Sequence, residues 1–227
     1  MEATTARQTG DGVGATPTTE PNWAPRATLA ITADPAPLGL CGFALTTFVL
    51  SMFNAGLVNP AGEPVVLGLA VAYGGLAQFL AGMWAFRRGD TFAATAFSSY
   101  GAFWLSFFVL VQFLEKSIPA AHAGDAIGLY LIGWGIFTAG MWLVSFSRSI
   151  AVMLVLAALT VTYFLLGIGN AGDYPNIVKA GGYAGLVTAF VAFYAAVADL
   201  FENAFFRTVL PQVPLRKSRL AGIHKNV

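Results

Sequence analysis

The residues of this sequence that could bind a solute by hydrogen bonding are neutral polar side chains within long apolar segments. Thr47 follows Phe43 by four residues and Asn54 follows Thr47 by seven, which places all three on one face of a helix. A second stripe of hydroxyls, which includes Ser99, has helical spacing in the third apolar segment. Such groups donate hydrogen bonds to a polar solute, but small hydroxyl residues also allow helices to pack closely. The pattern therefore predicts either the lining of a pathway or a packing face, and it does not decide between them.

Gln78 lies in another apolar segment, where a side-chain amide needs partners. The amide presents two donor hydrogens and an acceptor oxygen, and leaving them unpaired in hydrocarbon is costly in free energy. Gln78 is therefore predicted to face protein or water, either in an interhelical hydrogen bond or in contact with a solute.

Ionisable residues are absent from the central part of every apolar segment. Charges near mid-membrane are usually retained for proton relays, so a relay of carboxylates is not expected. The single cysteine, Cys41, lies in an apolar run, where a thiol behaves as a small hydrophobic group. The sequence has no Cys and His cluster with metal-ligand spacing, no phosphate-binding loop and no nucleophile motif. We therefore expect no enzyme activity, no metal and no cofactor.

The elements that must position these groups are transmembrane helices. Hydrophobic residues make up 57% of the 227 residues and charged residues 10%, whereas roughly one quarter is charged in soluble domains. Backbone groups in lipid must be paired within helices or closed barrels. We predict an all-α polytopic membrane protein with a six-helix domain over residues 34–206. Its predicted spans are 38–58, 65–86, 92–114, 126–146, 149–168 and 179–201.

The two ends of the chain differ from this domain in composition. Residues 1–33 are rich in Thr, Pro, Ala and Gly, which predicts a disordered tail without a signal peptide, and residues 207–227 form a basic tail. With a cytoplasmic N-terminus, ten Lys and Arg residues lie inside and two outside. The positive-inside rule therefore predicts cytoplasmic tails and a location in the inner or plasma membrane. A formal net charge of +1 without a basic face argues against a nucleic acid partner.

The start of the first apolar segment resembles a family signature. Residues 34–43 read Asp-Pro-Ala-Pro-Leu-Gly-Leu-Cys-Gly-Phe, similar to the signature of the acetate uptake transporter family, which includes bacterial succinate–acetate permeases. The family motif begins Asn-Pro, and Asp at its first position still suits a helix cap. Similar motifs at 73–78, 89–105, 133–138, 167–170 and 206–211 extend the resemblance over nearly all of residues 34–211. The signature residues here are Asp34, Pro35, Ala36, Pro37, Leu38 and Gly39.

This resemblance implies a six-helix protomer in a ring-like homo-hexamer, with a separate pathway in each protomer. It also implies a constriction formed by an aromatic residue of the first span, a tyrosine of the third and a leucine of the fifth. The matching positions are Phe43, Tyr100 and Leu159. The resemblance further places Gln78 and Asn170 near the pathway. Together with the hydroxyl and amide stripes, the predicted pathway residues are Thr47, Asn54, Gln78, Ser99 and Asn170.

The function implied by the resemblance is membrane transport of acetate and related small monocarboxylates, with succinate as a further substrate of some members. A short carboxylate needs hydrogen-bond donors for its oxygens and an apolar surface for its methyl group, and these spans offer both. The protein would act as a proton-linked permease or as an anion channel, with the lipid bilayer around it. The alternatives are a channel or exporter for another small solute and a structural membrane assembly protein. A purely structural role would not require polar stripes on the first and third spans.

Overall fold

The computed structural model describes residues 32–213 and Leu215, and these residues form a bundle of helices. Within these residues, six stretches are long and apolar enough to cross a membrane, which confirms the predicted all-α architecture and the number of spans. The second span, Pro60–Arg87, contains two α-helices, and the third, Thr91–Ser117, begins with one. The helices are α1 (Ala36–Asn54), α2 (Val65–Val71), α3 (Gln78–Arg87), α4 (Thr91–Val109), α5 (Ala120–Ser145), α6 (Ile150–Ala171) and α7 (Pro175–Phe205).

The fourth span begins earlier than hydropathy indicates. It was predicted to start at residue 126, but α5 starts at Ala120, so His122 and Asp125 lie in its first two turns and not in a loop. Pro119, at φ −55° and ψ 135°, precedes the helix. The small residues that follow favour helix, although they are not apolar enough to be counted as membrane core.

Three other span ends also differ from the prediction. α1 ends at Asn54 and not at residue 58, because Gly56 has a φ of 70° and turns the chain out of the helix. α6 continues to Ala171, so Asn170 lies within the helix and not after it. α7 begins at Pro175, which places Lys179 in its second turn. At the end of α1 the backbone conformation of Gly56, and not hydropathy, sets the boundary.

A π-helical turn, Ala72–Ala77, joins α2 to α3 within the second span. Two glycines allow this turn to contact its neighbours closely. A Cβ on Gly74 would lie 2.8 Å from Cδ1 of Trp104, and a Cβ on Gly42 would lie 2.7 Å from the carbonyl oxygen of Tyr73. The turn therefore fits between α1 and α4 and packs against the indole of Trp104.

The bundle has a buried aromatic interior and an apolar exterior. α7 packs against α1 and α6, and α6 packs against α5. The interior cluster includes Phe43, Phe103 and Leu159. Large apolar side chains are exposed on the outside, with Leu129 at 73% and Leu143 at 66% relative exposure. Such a surface suits lipid and not water, so this is a multi-pass membrane protein.

Ion pairs join neighbouring segments at one end of the bundle. We call the end where α1 begins and α7 ends the tail end, and the end where α1 and α6 end the mouth end. At the tail end, Arg148 binds Asp90 through two hydrogen bonds of 2.9 and 2.5 Å, and its guanidinium carbon lies 4.6 Å from the ring centre of Phe92. A second pair joins Arg88 to Asp34 at 3.6 Å. These pairs link the turn before α4 to the turn before α6 and to the start of α1.

The first part of the predicted basic tail packs against the bundle. The Tyr194 hydroxyl donates to the Pro211 carbonyl at 2.7 Å, and the Ile150 amide donates to the Val213 carbonyl at 3.0 Å. Gln212 donates to the carboxylate of Asp199 on α7. Residues 211–213 are thus fixed against α6 and α7. Most of the two predicted tails lies outside the described residues, namely residues 1–31, 214 and 216–227.

Replacing Asp90 with Asn is expected to lower the thermal unfolding temperature in detergent by about 2 °C at neutral pH, and by progressively less as the pH falls below about 4. Burial raises the pKa of Asp90, but hydrogen bonds from Arg148 and from the Ala93 amide together lower it below its ordinary value. Because the pKa of Asp90 is lower in the folded than in the unfolded state, its ionised carboxylate stabilises the fold at every pH above the unfolded-state pKa. This stabilisation is lost as the pH falls through the folded-state pKa. Asn still accepts the 3.0 Å hydrogen bond from the Ala93 amide, but it loses the negative charge and one of the two oxygen acceptors for Arg148. A difference in unfolding temperature between the wild type and Asp90→Asn that stays constant with pH would contradict this account.

Candidate functional site

A cavity of about 430 Å³ lies within the helix bundle. It extends from the middle of α1 and α6 to the mouth end, where Pro60, Glu63 and Glu115 line it. Its walls come from the first five spans, and within the described residues α7 contributes no lining side chain. The polar residues of its wall, apart from the two glutamates, are Thr47, Ser51, Asn54, Thr162, Tyr163, Trp104 and Asn170.

The inner part of the cavity is apolar and is lined by two of the three residues of the predicted constriction. Phe43 and Leu159 line it and are 4% and 3% exposed. Tyr100 does not line it but lies behind Phe43, with the two ring centres 5.9 Å apart. The Tyr100 hydroxyl donates to Thr138 Oγ1 at 3.1 Å, and the Thr138 hydroxyl donates to the Trp134 carbonyl at 2.7 Å. Tyr100 is therefore fixed in the bundle interior and does not face lipid.

The predicted pathway residues fall into two groups. Thr47, Asn54 and Asn170 line the cavity, and Asn170 Nδ2 donates to the carbonyl of residue 166 at 2.8 Å. Gln78 and Ser99 are not part of its wall. Gln78 is 1% exposed, and its Oε1 has no hydrogen-bond partner among the described residues. The sequence predicted that Gln78 makes either an interhelical hydrogen bond or a contact with a solute. Among the described residues its Oε1 has no hydrogen-bond partner, and Gln78 does not line the cavity.

Sequence reasoning missed two aromatic residues with polar atoms in the cavity wall. Trp104 and Tyr163 line the cavity and are 2% and 4% exposed. Both belong to an aromatic cluster around Phe103, whose ring centre lies 5.0 Å from that of Trp104 and 5.3 Å from that of Tyr163. The available signal was their spacing, since they follow Tyr100 and Leu159 by four positions. They were overlooked because only small hydroxyl and amide residues were considered as polar lining.

Within the part of the chain that the structure describes, the charged side chains of the cavity wall lie at its mouth. Glu63 and Glu115 line its outer part, whereas the rest of the wall is neutral. Among the described residues, no group of three or more His, Cys, Asp and Glu side chains is arranged to hold a metal ion. A solute that moves inward from the mouth therefore leaves two carboxylates and enters a region of hydroxyls, amides and aromatic rings.

The signature residues lie at the tail end, away from the cavity. The Ala36 amide donates to Asp34 Oδ1 at 2.9 Å, so Asp34 caps the start of α1 as predicted for its side chain. Arg88 lies next to the same carboxylate and offsets its charge. Pro35, Pro37 and Gly39 are buried, and a Cβ on Gly39 would lie 2.6 Å from the ring of Phe97. Ala36 is half-buried and Leu38 is exposed. This segment therefore holds the beginning of α1 against α4.

Comparison with known proteins gives consistent matches over most of the chain. The model of the GPR1/FUN34/yaaH family matches residues 16–217. Acetate permease A of Emericella nidulans is 43% identical over 77% of this chain and 64% of its own length, so the chain spans just under two thirds of that relative. Succinate-acetate/proton symporter SatP of Escherichia coli K12 is 37% identical over 79% of this chain and 94% of its own. A solved structure of the bacterial acetate channel SatP matches with a TM-score of 0.74 and 37% identity, over 79% of this chain and 98% of that one.

Proposed function

We propose, because this chain belongs to the GPR1/FUN34/yaaH family, that it moves acetate and related small carboxylates across a membrane. The relatives described as an acetate permease, a succinate-acetate/proton symporter and an acetate channel support this substrate class. The observation that carries the proposal is the cavity, which leads from the mouth end to Phe43 and Leu159.

The chemistry of the wall suits a short carboxylate. The hydroxyl of Thr47 and the amides of Asn54 and Asn170 supply donors for its oxygens, and Phe43 and Leu159 supply an apolar surface for its methyl group. A fixed cation would hold the anion strongly, whereas neutral donors bind it weakly enough for release. The described cavity wall contains no Lys or Arg.

We assign the size filter of this pathway to Phe43, Tyr100 and Leu159. Phe43 and Leu159 narrow the inner part of the cavity from two sides. Tyr100 supports Phe43 from behind, and its hydrogen bond to Thr138 fixes the position of its ring. A filter of packed rings and a leucine selects by the width of the solute and not by its charge.

Proton linkage, in this proposal, is carried by the substrate. Among the described residues, none with a carboxylate lines the inner wall of the cavity, and the two acidic lining residues, Glu63 and Glu115, lie at the mouth. Acetic acid formed on the acidic side brings its own proton and needs no relay of protein carboxylates. The same pathway then accounts for relatives described as a proton symporter and as a channel.

The protomer is proposed to assemble into a ring-like homo-hexamer with cytoplasmic tails in the inner or plasma membrane. Assembly is supported by a face of α5 on which Gly133 and Gly140 are exposed. A Cβ atom built on either glycine would have no atom of another segment within 4 Å. Small residues allow helices to approach closely in lipid, so this face suits contact with a second protomer. The ten-to-two distribution of basic residues supports the orientation.

Uptake of radiolabelled acetate into liposomes that contain the purified protein tests the transport proposal. We expect uptake above that of protein-free liposomes, and a further increase when the outside is made acidic, because more neutral acid is then available. Uptake of a different small solute without acetate would favour the alternative channel or exporter. Absence of uptake for every small solute, with folded protein in the bilayer, would favour the assembly role.

A further inference from the structure

Within the described residues, the charged side chains of the cavity wall are two glutamates. Glu63 lies between the 3-10 turn Pro60–Gly62 and α2, and Glu115 begins the 3-10 turn that ends the third span. Both residues are half-buried, and both line the outer part of the cavity. A solute that enters or leaves through the mouth therefore passes two carboxylates.

Neither carboxylate is offset by a basic partner in the part of the chain that the structure describes. The two ion pairs found there both lie at the tail end. α1, which packs against α2 at the mouth, has no charged side chain between Ala36 and Asn54. The negative charges of Glu63 and Glu115 are thus not neutralised across the cavity.

The other described ionisable side chains of the mouth end are exposed and do not line the cavity. Two lysines balance two aspartates in formal charge, and the histidine is counted as neutral at pH 7. The net charge of this end is therefore that of the two glutamates in the wall. The five exposed residues are Lys116, His122, Asp125, Asp173 and Lys179.

A narrow entrance with charges of one sign and apolar walls concentrates the electric field inside it. A negative potential lowers the local concentration of anions, whereas it leaves the concentration of a neutral solute unchanged. Because the electrostatic energy is proportional to the charge of the solute, the factor for a dianion is the square of the factor for a monoanion. Such an entrance admits the neutral acid most readily, then the monocarboxylate and least readily the dicarboxylate.

We propose that Glu63 and Glu115 form a charge filter at the mouth, which favours neutral acids over monocarboxylates and disfavours dicarboxylates most strongly. This inference rests on the transport function proposed above and adds selection by charge to the selection by width at Phe43 and Leu159. In this chain the two carboxylates disfavour succinate, although one relative is described as a succinate-acetate/proton symporter.

The test measures initial uptake of labelled acetate and succinate by liposomes at about pH 8, where both solutes and both glutamates are ionised. Glu63→Gln and Glu115→Gln keep the shape of the side chain and remove one charge each. At an ionic strength of about 0.1 M, each is expected to raise acetate uptake about threefold and succinate uptake about ninefold, and the double variant should raise acetate uptake about tenfold. Acetate alone decides the outcome if succinate is too wide for the constriction. A potential at the mouth acts on passage in either direction, so the orientation of the protein in the liposome does not matter.

Ionic strength separates an electrostatic effect from a change in shape. The screening length is about 10 Å at 0.1 M and about 3 Å at 1 M. Added salt, at equal concentration on both sides, should therefore raise anion uptake by the wild type and reduce its difference from the Gln variants.

Two control variants show whether charge and position matter. Glu63→Asp retains the carboxylate in the wall, and Asp125→Asn removes an exposed carboxylate at the same end but outside the wall. Both are expected to keep acetate uptake close to that of the wild type. Thermal unfolding in detergent verifies that equal amounts of folded protein are compared.

The possible outcomes separate this inference from the proposed function. Wild-type protein without uptake of acetate would overturn both. Wild-type uptake with unchanged or lower acetate uptake in Glu63→Gln, Glu115→Gln and the double variant would overturn the charge filter alone. An increase in the Gln variants that added salt does not reduce would also overturn it, because the effect would then not be electrostatic.

Discussion

Leu159→Ala and Phe43→Ala are each expected to raise the flux of butyrate relative to acetate by about tenfold. Both side chains line the narrow inner part of the cavity, and both are nearly fully buried. Truncation to Ala removes apolar bulk from the passage, and a pocket that gains space discriminates less strongly between chains that differ by methylene groups. Acetate flux itself should persist, because no hydrogen-bond donor is removed.

The measurement is uptake of labelled acetate and butyrate by liposomes with equal amounts of each folded variant. Leu156→Ala is the matched control, because Leu156 is on the same helix and 4% exposed but does not line the cavity. It is expected to destabilise the fold, as truncation of a buried leucine does, without changing the ratio of the two fluxes. An unchanged ratio in both Leu159→Ala and Phe43→Ala would show that these residues do not filter by size.

The number of spans could be predicted from the sequence because hydropathy over about 20 residues is set by the thickness of the bilayer. Helix ends could not be predicted equally well, because they depend on local backbone geometry. The left-handed conformation of Gly56 ends α1 early, and the helix after Pro119 includes His122 and Asp125. Hydropathy reports the apolar core of a span and not where its helix begins or ends.

Part of the candidate site also followed from the sequence. Thr47 and Asn54 were found from their spacing with Phe43, since residues on one helix face share an environment. Tyr100 and Leu159 depended on the family resemblance, because an aromatic or leucine within a span is indistinguishable from ordinary packing. Their positions in the pathway stay predictions until flux is measured.

The remaining features depend on contacts between segments distant in the chain. The π-helical turn at Ala72–Ala77 packs against Trp104 on another span, and no periodicity in the sequence indicates it. The pair of Asp90 and Arg148 joins residues 58 positions apart. Gln78 shows the same limit, since its burial could be predicted but the absence of a partner for Oε1 could not.

The central claim, that acetate passes through the cavity within the bundle, is tested most directly by blocking the cavity chemically. Leu50 lines the cavity one helical turn closer to the mouth than Thr47, so a thiol in Leu50→Cys can be modified by a bulky charged thiosulfonate. The native thiol is removed by Cys41→Ser, and the reagent is supplied on both sides of the liposome membrane. Val58→Cys is the control, because Val58 is 40% exposed at the same end of the bundle but is not part of the cavity wall.

Modification of Leu50→Cys is expected to abolish nearly all acetate uptake, because the added group fills the passage. Modification of Val58→Cys is expected to leave uptake unchanged, and reduction of the mixed disulfide should restore flux in Leu50→Cys. Complete labelling of Leu50→Cys, verified by mass, with undiminished acetate uptake would contradict the claim that this cavity is the route.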